Sequence, residues 1–173
     1  MKRRVQLALC FAGAALLGHV ATVIAAPRVI MHIAMDRLSE NGRLINAFRF
    51  SGRVDSHARW VVRPSPDLAY ASCVYDLSHG PVLVTAIPGV DHGYLSLSVF
   101  AANTDNIAVF DTLRQPQGVR FALALPGQSV PPGTNVVRAI SAKGIILDRR
   151  LAPDAAAFAA ADRARTADSC TPI

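Results

Sequence analysis

Lysine is nearly absent from this sequence: two lysines stand against sixteen arginines. Aromatic residues are scarce too, at 6% of the chain with a single tryptophan. No basic stripe interleaved with aromatics exists, so the usual footprint of a nucleic-acid surface is missing and no nucleic-acid partner is expected. The sequence also holds no C-x-x-C pair, H-E-x-x-H helix, G-x-S-x-G elbow or phosphate-binding glycine loop. The common signatures of zinc hydrolysis, serine nucleophiles and nucleotide binding are therefore missing, and neither a cofactor nor a catalytic residue is assigned.

Charge is missing altogether from Val5 to Ala26. At about 1.5 Å per residue this stretch is long enough to cross a hydrocarbon core of about 30 Å. A secretory signal has a shorter apolar region of roughly 7–15 residues. Val23-Ile24-Ala25 imitates a cleavage site, but Pro27, two residues on, makes that site poor. An uncleaved transmembrane anchor is the preferred expectation. Lys2, Arg3 and Arg4 precede it, which by the positive-inside rule puts the N-terminus in the cytoplasm and the rest in the periplasm. The expected location is a bacterial inner membrane, crossed once.

Cys10, Ala14, Gly18 and Thr22 recur every four residues within the anchor. They form one small-residue stripe, with His19 beside it. Such a stripe lets helix backbones approach in lipid. It also arises from alanine-rich composition alone, and both readings stay open.

Beyond the anchor 15 basic residues face 12 acidic ones. The excess lies between Arg28 and Arg63, a placement that suits a lipid headgroup surface. Met31, Ala34, Met35 and Leu38 follow helical spacing and predict a short amphipathic helix stopped at Asn41-Gly42. Its apolar face is expected to pack on the domain that follows.

From about Trp60 the period changes to two. Strands are predicted over Ala58–Arg63, Ala69–Leu77, Pro81–Ile87, Tyr94–Phe100, Ile107–Asp111, Val119–Leu125, Val136–Ser141 and Gly144–Leu151, separated by proline- and glycine-rich turns. Seven or eight short strands predict a mainly β domain, an antiparallel sandwich or jelly-roll-like fold. A short alanine-rich helix over Asp154–Arg165 closes it, with Phe158 as its only large apolar residue. The chain divides into a tail and anchor (1–27), a juxtamembrane helix and linker (28–57), the β domain (58–152) and a C-terminal helix and tail (153–173).

Arg63-Pro64-Ser65-Pro66-Asp67, Tyr70, Asp76-Leu77-Ser78 and Gly80-Pro81-Val82 together resemble the bacterial family known as domain of unknown function 1254. Tyr94-Leu95-Ser96-Leu97, Asn103-Thr104-Asp105-Asn106, Lys143-Gly144-Ile145-Ile146-Leu147 and His19-Val20-Ala21-Thr22 extend the likeness. Ser65, Leu68 and Ala71 depart from its usual asparagine, threonine and serine. The resemblance implies a β-sandwich-like domain, and a partner protein of a sister family numbered 1214, encoded beside the short anchored members. It implies no activity.

Two clusters remain. Arg63, Asp67 and His92 are expected at one end of the sheet with Tyr70 below them, either as a pocket or as turn caps. His79 and His92 are expected to be separated by one strand, roughly 20 Å, too far for one metal ion. Cys73 and Cys170 lie outside the anchor and would pair in an oxidising compartment. The alternative is a buried strand cysteine and an idle tail cysteine. The favoured function is a non-enzymatic, membrane-anchored envelope module that binds a sister-domain protein. The alternative is an enzyme or small-ligand binder using the Arg63/Asp67/His92 end.

Overall fold

The computed structural model describes residues 2–55, 57–58, 64–89 and 93–173. The anchor and the amphipathic segment, expected as two helices, form one: α1 runs without interruption over Lys2–Leu38 and contains Pro27. Proline removes one backbone donor, but the helix continues past it, and the Arg28 side chain donates back to the Ile24 carbonyl at 2.7 Å. The helix ends where Asn41-Gly42 was expected to stop it. Glu40, Asn41 and Gly42 all adopt positive φ, and Asn41 N–H donates to the Asp36 carbonyl at 2.8 Å.

The described residues after α1 contain nine strands and one further helix. These are β1 (Phe48–Phe50), β2 (Leu68–Asp76), β3 (Val82–Ala86), β4 (Leu95–Ala101), β5 (Asn106–Asp111), β6 (Val119–Ala124), β7 (Val136–Arg138), β8 (Lys143–Leu151), α2 (Ala155–Arg165) and β9 (Ser169–Pro172). One sheet has the order β1-β2-β8-β4-β5 and the other β7-β6-β3-β9. The fold is the expected mainly β sandwich, antiparallel except where β6 meets β7. Of the predicted strands, Ala58–Arg63 falls almost wholly outside the described residues. Two strands were not predicted: β1 precedes the expected β domain, and β9 lies in the expected tail.

β8 is the spine of the larger sheet. Leu68 to Asp76 pair with Leu151 to Lys143 on one side, and Leu95 to Ala101 pair with Arg150 to Gly144 on the other. Alternation along β8 assigns its faces. Ile146 points into a core with Tyr75, Leu97, Val84, Phe121 and Leu123, and Phe110 stacks on Phe121 at 4.7 Å. Ile145 points outward, where it joins Val74, Phe100 and Ile45 beneath Met31, Met35 and Leu38 of α1. The amphipathic stretch of α1 thus packs on the domain.

Gly144 is required by close approach. A Cβ there would lie 2.1 Å from the Phe100 carbonyl oxygen and 2.4 Å from Tyr75 Oη. Tyr75, fully buried, donates that hydroxyl to the same carbonyl at 3.1 Å.

Candidate functional site

The sandwich end at Leu68, Leu95 and Leu151 holds the densest polar chemistry among the described residues. β8 places Asp148 and Arg150 in phase with Ile146, so both charged side chains enter the interior; they are buried at 0% and 3% exposure. Arg150 Nε donates to Asp148 Oδ2 at 3.0 Å, Nη1 to the Ile87 carbonyl at 2.8 Å, and Nη2 to both oxygens of Asp168 at 2.8 and 2.7 Å. Asp168 also accepts from Ile87 N–H at 3.2 Å. The network ties β8, the end of β3 and the segment between α2 and β9 into one unit.

Two carboxylates meet one guanidinium there. Burial is the largest influence on Asp168 and lifts its carboxyl to about 7; the Arg150 charge pulls it down and the Asp148 charge pushes it up. Burial raises Asp148 too, against Arg150. Asp148 Oδ1 has no hydrogen-bond partner among the described residues, which adds to the cost of its charged form.

Arg165, in the last turn of α2, is 1% exposed. It donates to the Tyr70 and Ser51 carbonyls and to Asp162, and lies between the rings of Phe50 and Phe158 at 5.6 and 5.3 Å. The helix was expected to dock through Phe158 alone. A buried, fully engaged arginine holds it instead, with the planar group stacked as lysine could not be.

Between α2 and the β3–β4 connection lies a cavity of about 570 Å³. Ala157, Ala160, Ala161 and Ala164 form one wall, Pro88 and Tyr94 contribute to another, and Arg150 touches it. With four hydrogen bonds to protein, Arg150 has little left to offer a ligand.

Of the expected pocket, Arg63 and His92 lie outside the described residues. Asp67 is exposed in a turn, its N–H bonded to Ser65 Oγ at 3.3 Å and its carbonyl accepting from Ala152 N–H at 2.7 Å. Tyr70 is buried and its hydroxyl accepts from Ser65 N–H at 2.8 Å. Neither lines the cavity among the described residues. Sequence reading missed Asp148, Arg150 and Asp168. The available signal was charge at core-facing positions of a period-two strand.

Cys73 on β2 and Cys170 on β9 face each other across the interior with Cα atoms 6.6 Å apart, a separation compatible with a disulfide between the two sheets. The tail is not idle, since β9 also pairs with β3 from Val82↔Pro172 to Thr85↔Ser169. In α1 the apolar stretch is long enough to cross a membrane, and its most apolar eighteen-residue window is entirely unburied. Along its small-residue stripe Ala14, Gly18 and Thr22 are exposed, and Thr22 Oγ1 donates to the Gly18 carbonyl at 2.8 Å. No cluster of three or more histidine, cysteine, aspartate or glutamate side chains able to hold a metal occurs among the described residues.

Residues 45–172 match the family model described as Protein of unknown function (DUF1254), and the chain belongs to that family. The VPA0106 protein from Vibrio parahaemolyticus has a similar solved structure, with a TM-score of 0.69 at 17% identity over 88% of this chain and 37% of that one. A putative uncharacterized protein from Burkholderia cenocepacia also matches, with a TM-score of 0.48 at 17% identity over 73% of this chain and 37% of that one. This chain therefore spans little more than a third of the length of the solved structures it matches. No curated protein matches it.

Proposed function

We propose that this chain is a membrane-anchored module of the bacterial cell envelope. Its sandwich lies in the periplasm and acts by associating with a second protein, expected to be of the sister family 1214. The observation that carries the anchor is the uncovered apolar window of α1. In water that surface would be exposed at a cost of about 25 cal/mol per Å², whereas lipid satisfies it. Lys2, Arg3 and Arg4 favour a cytoplasmic N-terminus. The facing cysteines suit an oxidising compartment on the far side.

A non-enzymatic role is supported by the interior. Side chains fill it, and the buried arginines spend their donors on the protein itself. A partner is what the likeness to the short, anchored members of the family implies. The alternative is an enzyme or small-ligand binder using the Arg63/Asp67/His92 end of the sheet. The cavity beside α2 favours it, since its volume falls within the range of about 300–1,000 Å³ usual for ligand sites.

Cross-linking in native membranes followed by purification through a C-terminal tag tests the module. The expected result is recovery of a stoichiometric sister-family protein. Recovery of this chain alone would contradict it.

A further inference from the structure

We infer that the sandwich stands on the membrane through one particular end, the one formed by the turns at 102–105 and 140–142, with Ile140 set into the lipid interface. This inference rests on the anchor reading above and adds an orientation to it.

The orientation follows from the continuity of α1. A hinge after the apolar stretch would leave the domain free to tumble. Instead the same helix runs on and buries Met31 and Leu38 against Val74 and Ile145 of the larger sheet. Arg28 follows the last apolar residues by two positions, and Met31 comes one turn later, about 5 Å further along the axis. The sheet is therefore held within about one helical turn of where the span ends.

The elements beside that first turn are identified by a crevice of about 400 Å³, bounded by Arg28, His32 and Met35 on α1 and by Asn103, Ile140 and Ser141 on the sandwich. The β4–β5 and β7–β8 turns thus border the stretch of α1 from Arg28 to Met35. Ile140, at the tip of its turn, is 64% exposed. On α1 itself Val29, Ile30 and Ile33 are exposed as well, on the side turned away from Met31, Met35 and Leu38. Ile140 thus offers exposed apolar surface on the sandwich side, beside the part of α1 that follows the span.

Charge agrees with this placement. Arg28 sits where lipid phosphates lie, and its stem can follow the apolar helix while the guanidinium binds phosphate oxygens. The acids nearby are already engaged: Asp36 with His32 at 3.6 Å, Asp105 with Asn103 at 2.7 Å, and Asp76 with Lys143 at 3.1 Å. Of these contacts the one with Lys143 offsets a carboxylate charge, that of Asp76.

The fold supplies its own control. Leu113 is 80% exposed, but it follows β5 at the opposite end, where Asp111 pairs with Ser96. Strands of seven to nine residues separate the two ends by roughly 20–30 Å.

The test uses the full chain with Cys10→Ser and a single added cysteine, Ile140→Cys or Leu113→Cys, labelled with an environment-sensitive fluorophore. Cys73 and Cys170 are buried and do not compete for label. The protein is reconstituted in vesicles of phosphatidylethanolamine and phosphatidylglycerol. Expected are blue-shifted emission and strong quenching by nitroxide lipid at 140, with iodide quenching several-fold weaker than at 113. Equal iodide quenching at both positions, in protein that floats with the vesicles, overturns the inference and leaves the anchor standing. Protein that does not float with vesicles removes both.

Discussion

Asp168 holds Arg150 through both carboxylate oxygens, at 2.8 and 2.7 Å, and the two side chains close on the backbone of the same residue, Ile87. The pair fastens the C-terminal segment to the central strand of the opposite sheet, through bonds that are almost wholly shielded from water. Breaking such a pair leaves an uncompensated buried charge, which costs about 3–5 kcal/mol. Arg150→Met is therefore expected to lower the urea midpoint sharply. An unchanged midpoint would show that the network contributes nothing to stability.

The same pair sets a pH dependence of definite sign. Burial raises the folded-state pKa of Asp168 to about 7, while an unfolded aspartate titrates near about 3.9. The folded protein thus holds a proton that the unfolded chain has released. Stability from this group is complete below about pH 4, falls as pH rises towards about 7, and is flat beyond. Thermal midpoints should be higher near pH 5 than near pH 8, and Asp168→Asn should reduce that difference. The same difference in both proteins would assign it to other groups.

Arg165 makes a third prediction. Replacing it with lysine removes the stacking on Phe50 and Phe158 and cannot reach the Tyr70 carbonyl, the Ser51 carbonyl and Asp162 together. The Tyr70 carbonyl keeps the Ser51 N–H at 3.0 Å, while the Ser51 carbonyl loses its guanidinium donor, a loss of about 1–3 kcal/mol where the carbonyl is shielded from water. Arg165→Lys is expected to raise amide exchange in α2 and β1 before the rest of the sandwich. Uniform exchange would mean that α2 is held elsewhere.

Gly144→Ala should destabilise the larger sheet by about 1–3 kcal/mol, the usual cost of forcing atoms into a packed interior. The added methyl would meet the Phe100 carbonyl and Tyr75 Oη, and Tyr75→Phe should relieve part of that clash. A denaturation series of the two single variants and the double variant measures the coupling. Additive losses would contradict the crowding.

The six strands from β2 to β6 and β8 were legible within two residues, since their apolar positions alternate and glycine or proline brackets them. β1 and β9 were not, because three or four residues are too few for a period, and Ser169-Cys170-Thr171-Pro172 ends in a strand-averse proline. The anchor and the amphipathic segment were read as two helices because the charge-free stretch ends at Ala26, yet with Met31 and Leu38 docked the helix runs on through Pro27. The buried network escaped for a related reason. Charged residues are read as surface unless their partners are known, and Asp168 is distant in sequence from Ile87.

The small-residue stripe of α1 offers a prediction of its own within the anchor reading. Gly18 has open space around its Cβ position, so Gly18→Leu should leave the helix and its insertion intact. If Ala14, Gly18 and Thr22 form a helix–helix contact, bulk at Gly18 should lower association in a membrane two-hybrid assay, because close packing favours association in lipid. Unchanged association would leave the stripe as composition.

The central proposal is an anchored domain outside the cytoplasm. Its most direct test is the intact mass of non-reduced protein recovered from carbonate-washed membranes. The predicted result is a chain that retains the segment from Val5 to Ala26 and has Cys73 joined to Cys170. A soluble species beginning at Ala26, with both cysteines recovered as free thiols, would contradict it.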